Sequence, residues 1–216
     1  LDDLREKWMK RDSSIWEFRT RKKHYVYSKV MAWLAFKRAI DIGKELNYSG
    51  HYTTWSNIAD TIKKDVLLNG YNREVESFVQ FYGGKNVDGA LLRLPIVGFI
   101  PASDQRFKNT MKKIEKDLMY DKYFFKRYNI DDGIKGDDNL FLLLSFWYID
   151  DLIFLGQIEK AKDAFESVME KSNHLYLFSE ELDIKTYDLL GNFPQALTHL
   201  AVITTAYRLH EKLKNL

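Results

Sequence analysis

Helical segments of two kinds alternate along this chain, and few folds can accommodate both. Residues 25–46 carry Val30, Met31, Trp33, Leu34, Phe36, Ala39, Ile40 and Ile42, which cover most of a helix circumference. Residues 51–68 instead place Trp55, Ile58, Ala59, Ile62 and Val66 at three- and four-residue spacing, with Lys63, Lys64 and Asp65 facing out. A short apolar helix follows over residues 88–94, stopped by Pro95. Next comes an amphipathic helix capped by Asp104, with Phe107, Met111, Ile114 and Leu118 on one face. Asp138 or Asn139 is positioned to cap a second strongly apolar helix over residues 140–155. Gly156 then turns the chain into an amphipathic helix with Ile158, Ala161, Phe165, Val168 and Met169 inward. The last helix is expected from an Asn192 cap to about residue 213, with Pro194 in its first turn.

Such an order predicts two layers, an inner ring of buried helices and an outer ring of half-buried ones. Strand patterns are nearly absent, so the fold class is all-α, with residues 1–216 in one domain. In an up-down toroid the inner helices run parallel, and the loops entering them collect on one face. Those loops hold Trp16 and Glu17, residues 81–87, Arg127 and Tyr128, and Glu180 and Glu181.

Composition narrows the function. The 33 basic and 31 acidic residues give a net charge of +2, too balanced for a nucleic-acid or membrane surface. With no cysteine there is no disulfide frame and no thiolate metal site. The longest apolar run, residues 140–149, is broken only by Ser145 and is about half of a bilayer span. No signal peptide is visible, and a cytoplasmic location is expected. The chain does not begin with Met, so a piece of a longer protein is expected. The 14 Phe, 13 Tyr and 5 Trp suit a core and also suit sugar stacking.

Several chemistries lack their motifs. The histidines show no zinc-ligand spacing, Gly83 and Gly84 are not followed by the residues of a phosphate-binding loop, and no serine sits in a nucleophile elbow. Inverting glycoside hydrolysis needs a protonated acid on one side of the sugar and an ionised base on the other, roughly 6.5–9.5 Å apart. Glu17, flanked by Trp16 and Phe18, is expected to have its pKa raised by apolar neighbours, and Glu180 adjoins Glu181. On pattern alone each of these acids is more often a solvated surface group than a catalyst, Arg127 is more often a surface or salt-bridging cation, and His24 and His199 are more often structural.

The segment from Ser14 to Arg19, then His24 to Trp33, resembles glycoside hydrolase family 15, the family of glucoamylases, glucodextranases and prokaryotic trehalases. The resemblance continues through Asp88 to Leu92 with Leu94 and Pro95, Arg127 and Tyr128, Phe141 to Trp147, and Gly156 with Ala161. It closes with Leu177 to Asp183, Leu190 to Ala196, and His199. It implies an (α/α)6 toroid and an inverting exo-acting α-glucoside hydrolase that uses no cofactor and no metal. Residue by residue, it implies Glu17 as general acid, Glu180 as general base, Trp16 lining the glucose site and Arg127 contacting the sugar. Tyr128, Glu181, His24 and Lys29 match motif positions and join the expected substrate-binding set; His199 also matches.

Three positions depart from the glucoamylase pattern: Glu181 where Gln is usual, Leu197 where an aromatic is usual, and Asp138 to Phe141 ahead of the apolar helix. The first tilts the resemblance toward trehalases. About seven of twelve toroid helices are accounted for, four of them inner, so the toroid is incomplete and the chain corresponds to the C-terminal portion of one catalytic domain. Alone it is expected to be inactive. Its expected partners are an α-glucoside or oligosaccharide and the missing N-terminal part, from the same chain or another. The competing reading is a non-catalytic helical carbohydrate-binding or interaction module.

Overall fold

The computed structural model describes residues 1–133 and 138–214; the sequence predicts a polar loop over residues 121–137, of which 134–137 lie outside the described residues. Eight α-helices are described: α1 (Asp2–Lys7), α2 (Val26–Glu45), α3 (Tyr52–Asn69), α4 (Arg93–Ile96), α5 (Gln105–Leu118), α6 (Leu142–Phe154), α7 (Ile158–Met169) and α8 (Ala196–Leu213). None is long and apolar enough to cross a membrane.

The expected alternation is present. α2 packs on α3, and α6 packs on both α7 and α8. The amphipathic members bury one face only: Ala59, Ile62 and Val66 on α3, Phe107, Met111, Ile114 and Leu118 on α5, Ala161, Ala164 and Val168 on α7. Asp104 caps α5 as expected, accepting from the Arg106 backbone amide at 2.9 Å.

Among the described helices burial all round holds for α6 alone, where every residue from Leu142 to Ile153 is buried. It has α4, α7, α8 and the 3₁₀ turn Gly89–Leu92 around it. α2 and α8 differ from the expectation. α2 buries Val30, Trp33, Phe36 and Ile40 but leaves Ile42 exposed. α8 buries Thr198, Ala201, Thr205 and Leu209, while Leu197, Leu200, Ile203 and Tyr207 form an exposed stripe on its other face. No element of the described residues covers those flanks.

Short strands, which the sequence pattern barely signals, stitch the loops. β1 (Tyr71–Asn72) pairs with β2 (Ser77–Phe78), and β3 (Met119–Asp121) with β4 (Phe124–Phe125). β5 (Leu140–Phe141), β6 (Glu181–Leu182) and β7 (Leu189–Leu190) form an antiparallel sheet in that order. β5 takes the first two residues of the helix expected over 140–155, so α6 begins at Leu142 without a side-chain cap from Asp138 or Asn139. The last helix also starts later than expected, with Gln195 as the cap, its side chain accepting from the Leu197 amide. Pro95 does not end the apolar segment at 88–94; it sits inside α4, and the chain turns at Gly98, whose φ of 76° suits glycine.

Candidate active site

Residues 12–23 form a loop closed at its base by an antiparallel bridge between Asp12 and Lys23. The Asp12 carboxylate accepts from the Ser14 amide and the Ser28 hydroxyl, both at 2.7 Å, tying the loop to the start of α2. Within the loop Ser14 and Glu17 both have left-handed backbone, with φ of 67° and 54°. That sharp path buries Phe18 while leaving Glu17 exposed. The expected apolar surroundings of Glu17 are therefore not formed: Phe18 is buried and Trp16 half-buried, while the acid between them is exposed.

The Trp16 and Phe18 rings enter an aromatic cluster. Phe18 stacks on Tyr25 at 5.5 Å and leans on Tyr128 at 4.7 Å; Tyr25 meets Phe81 edge-on at 6.0 Å. Trp16 lies 6.1 Å from Tyr128 and meets Phe141 edge-on at 5.6 Å. Its indole N–H donates to Asp88 Oδ2 at 3.0 Å. Three of the four expected loops thus meet here through aromatic contacts.

The fourth arrives through the sheet. Phe141 pairs with Glu181 across β5 and β6, and the Leu142 amide donates to the Glu180 carbonyl at 3.2 Å. The Glu180 amide donates in turn to the Asn192 carbonyl at 3.1 Å. Successive side chains of an extended segment point to opposite faces, so the two acids separate. Glu180 Oε2 accepts from the Asn192 side-chain amide at 2.9 Å. Glu181 instead lies 3.4 Å from the Arg127 guanidinium and 3.4 Å from the Asn139 side-chain nitrogen. The two glutamates do not share one pocket as a proton-sharing pair. Burial raises the Glu181 pKa; Arg127 and Asn139 pull it back, while the charges of Asp138 and Glu180 push it further up.

Arg127 is held by Asp138, which accepts from Nε at 2.9 Å, from Nη2, and from the Arg127 backbone amide at 3.1 Å. Burial alone would lower the Arg127 pKa; the hydrogen bonds and charge of Asp138 outweigh it and raise it. The guanidinium sits over the Tyr128 and Phe141 rings at 5.5 and 5.4 Å. Tyr128 donates its hydroxyl to Asp132 at 2.7 Å.

His24 and Lys29 are placed elsewhere. They line a separate pocket with Trp8, Asp65, Asn69 and Tyr82. Lys29 is buried, and its ammonium donates to the carbonyls of Trp8 and Lys10, fastening the segment after α1 to α2. His24 stacks on Tyr82 at 5.9 Å. His199 is structural: Nε2 accepts from the Phe178 amide at 3.3 Å, and Nδ1 lies 2.7 Å from the Gln195 carbonyl, which fixes the Nδ1–H tautomer. It fastens the start of α8 to the loop that carries Glu180.

The family model for glycosyl hydrolases family 15 matches residues 1–207. The chain belongs to glycoside hydrolase family 15. The trehalase of Thermoplasma volcanium is 58% identical over 95% of this chain, and the trehalase of Mycobacterium tuberculosis 33% identical over 94%. These matches cover 33% and 30% of the relatives, so the chain spans about a third of the length of the curated relatives it matches. A variant glycosidase solved in complex with glucose superposes with a TM-score of 0.83 at 16% identity, over 97% of this chain and 58% of that one. A bacterial glucoamylase complexed with acarbose superposes with a TM-score of 0.77 at 16% identity, over 91% and 35%. The architecture is accordingly an incomplete (α/α)6 toroid. Two residues of this cluster have no role in the reading of the sequence, Asp88 and Phe141. Asp88 lay inside a matched motif, but nothing in its neighbours along the chain signals a partner 72 residues away. Phe141 read as the start of a helix, because a two-residue strand is too short to show alternation.

Proposed function

We propose that this chain carries the two acids of an inverting, exo-acting α-glucoside hydrolase, with Glu17 as general acid, Glu180 as general base and trehalose as substrate. The observation that carries the reading is Phe141. Its ring touches Trp16, next to Glu17, and its backbone pairs with Glu181, next to Glu180. One residue thus couples the two loops that hold the acids. The names of the relatives at 58% and 33% identity favour trehalose over longer glucans.

In this reading Glu17 gives its proton to the glycosidic oxygen as the bond to the anomeric carbon breaks. Glu180 takes a proton from a water that attacks the opposite face, so the glucose formed at that carbon has the β configuration. Asn192 occupies Oε2 of Glu180, leaving Oε1 to receive the proton. Glu17 is exposed in this chain, so the desolvation that a general acid needs has to come from the bound sugar and from the rest of the ring. Trp16 offers a face to the sugar, and Arg127, oriented by Asp138, offers fixed donors. The exposed flanks of α2 and α8 support a working ring completed by the preceding part of a longer chain.

The test is an anomer-resolved NMR assay on a full-length chain, with trehalose and maltotriose offered in parallel. Release of β-glucose, lost in both Glu17→Gln and Glu180→Gln, is the expected outcome. Turnover retained in either variant would mean that acid is misassigned. Sugar binding by a folded full-length chain without turnover of any α-glucoside would favour a binding module instead.

A further inference from the structure

Asp88 is buried at 1% exposure, yet it forms no ion pair among the described residues. One oxygen, Oδ2, accepts from the Trp16 indole at 3.0 Å. The other, Oδ1, has no direct hydrogen-bond partner among the described residues. Gln80 and the amides of Leu91 and Ala90 lie close enough to favour the ionised form, but burial outweighs them and pushes the carboxyl up to about 7. A buried carboxyl with one oxygen left without a direct hydrogen bond is costly, and hydrophobic packing alone would not select it.

Its backbone explains what it can do. Asp88 is extended, bridges to Tyr128, and is followed by Gly89, whose amide donates to the Arg127 carbonyl at 2.8 Å. The carboxyl therefore stands on the backbone junction that also sets Arg127 and Tyr128. From there it reaches across to Trp16, whose loop is otherwise exposed at Ile15 and Glu17. Among the described residues the Glu17 side chain makes no hydrogen bond, and its amide donates within the loop to the Ser14 carbonyl at 3.3 Å. Two anchors flank Glu17 in the chain: the buried Phe18 ring on one side and the Trp16 indole, with its side-chain hydrogen bond, on the other.

We propose that Asp88 is a positioning residue: by fixing the Trp16 indole it fixes the turn that presents the Glu17 carboxyl, in register with Arg127. This rests on the reading of Glu17 as general acid. Displacement of a catalytic group by about 1 Å can cost on the order of 100-fold in rate.

The experiment uses a full-length chain labelled with 5-fluorotryptophan, in wild type, Asp88→Asn, Trp16→Phe and the double variant. Asn matches Asp in shape, so folding is retained, but it offers the indole only a neutral amide oxygen and so weakens the hydrogen bond that Trp16→Phe removes outright. The expected result has four parts. Asp88→Asn lowers kcat on the turned-over α-glucoside by about tenfold or more. KM changes little, and the Trp16 fluorine resonance, identified by its loss in Trp16→Phe, shifts. In the Trp16→Phe background Asp88→Asn has no further effect on kcat. Multiplying losses in the double variant, or an unmoved Trp16 resonance in Asp88→Asn, would overturn the proposal. Failure of the wild type to turn over any α-glucoside would sink the hydrolase reading and this proposal's catalytic half. In that case the fluorine shift alone would still decide whether Asp88 holds Trp16.

Discussion

The side chain of Glu180 lies against the backbone of Gly191. A Cβ added at Gly191 would sit 3.1 Å from both the Cβ and Oε2 of Glu180. Gly191 also has a φ of 76°, so a side chain there is strained as well as crowded. Gly191→Ala is expected to cost about 1–2 kcal/mol of stability and to displace the Glu180 carboxylate. Its signature is a kcat loss larger than the shift in melting temperature would suggest. A variant with unchanged kcat would show that Glu180 tolerates displacement and is not the base.

Asn192→Ala tests the same acid from its other partner. It removes the 2.9 Å bond to Oε2 and leaves the backbone clamp between Glu180 and Asn192 in place. Since the residue is exposed, stability should change by less than about 1 kcal/mol, while kcat falls about tenfold or more. Equal turnover in variant and wild type would remove Asn192 from the site.

Glu17 carries a strained backbone at an exposed position. Relief of a left-handed non-glycine conformation is worth roughly 1 kcal/mol. Glu17→Gly should therefore unfold at the same denaturant concentration as wild type or a higher one, and should not turn over substrate. A destabilised variant would mean that the side chain supports the loop, which its exposure argues against.

Arg127→Leu strands two acids at once, Asp138 and the partly buried Glu181. The pair is only partly screened from solvent, so a cost of about 2–3 kcal/mol is expected, below that of a fully buried pair. Arg127→Lys keeps the charge but not the fork that engages Asp138 through two nitrogens, and should recover less than half of that loss. Chemical denaturation of the three proteins measures both numbers.

How much of this was legible in the sequence depends on range. The all-round burial of α6 follows from its apolar run, and the amphipathic faces of α3, α5 and α7 follow from three- and four-residue spacing. The four loops that were expected on one face do meet. What joins them was not legible, because two-residue strands such as β5 and β6 have no period to detect. Glu17 illustrates a second limit: two aromatic neighbours in sequence suggested burial, but at a φ of 54° the acid is exposed while Phe18 is buried and Trp16 half-buried. His24 and Lys29 belong to the same resemblance as the Trp16 loop, yet they line another pocket, since Lys29 on α2 is held by the Trp8 and Lys10 carbonyls and His24, just ahead of α2, stacks on Tyr82.

Three buried aspartates set how stability should change with pH. Burial raises Asp88 to about 7 and Asp150 to about 6, against the pull of Arg208 on the latter. Asp151, fully buried and beside the charge of Asp150, is held well above the ordinary carboxylate value. Each binds its proton more tightly in the folded chain than in the unfolded one. The stabilising contribution of Asp88 and Asp150 is therefore complete below the unfolded value of 3.8 and is lost as pH rises through 6 to 7, and that of Asp151 is likewise lost on the alkaline side. The slope is at most about 1.4 kcal/mol per pH unit for each proton. His24 acts in the opposite sense: burial, Lys29 and Arg11 lower its pKa, so its contribution is lost as pH falls below 6.5. Asp104, lowered by its bonds to Arg106, stabilises above 3.8 and not below. The difference between two proteins isolates one group. Melting temperature followed from pH 4 to pH 8 should fall less steeply in Asp88→Asn than in wild type, with the gap opening between about pH 4 and pH 7. Parallel curves would show that Asp88 ionises in the folded chain as readily as in the unfolded one, and that its burial is relieved by a partner at Oδ1.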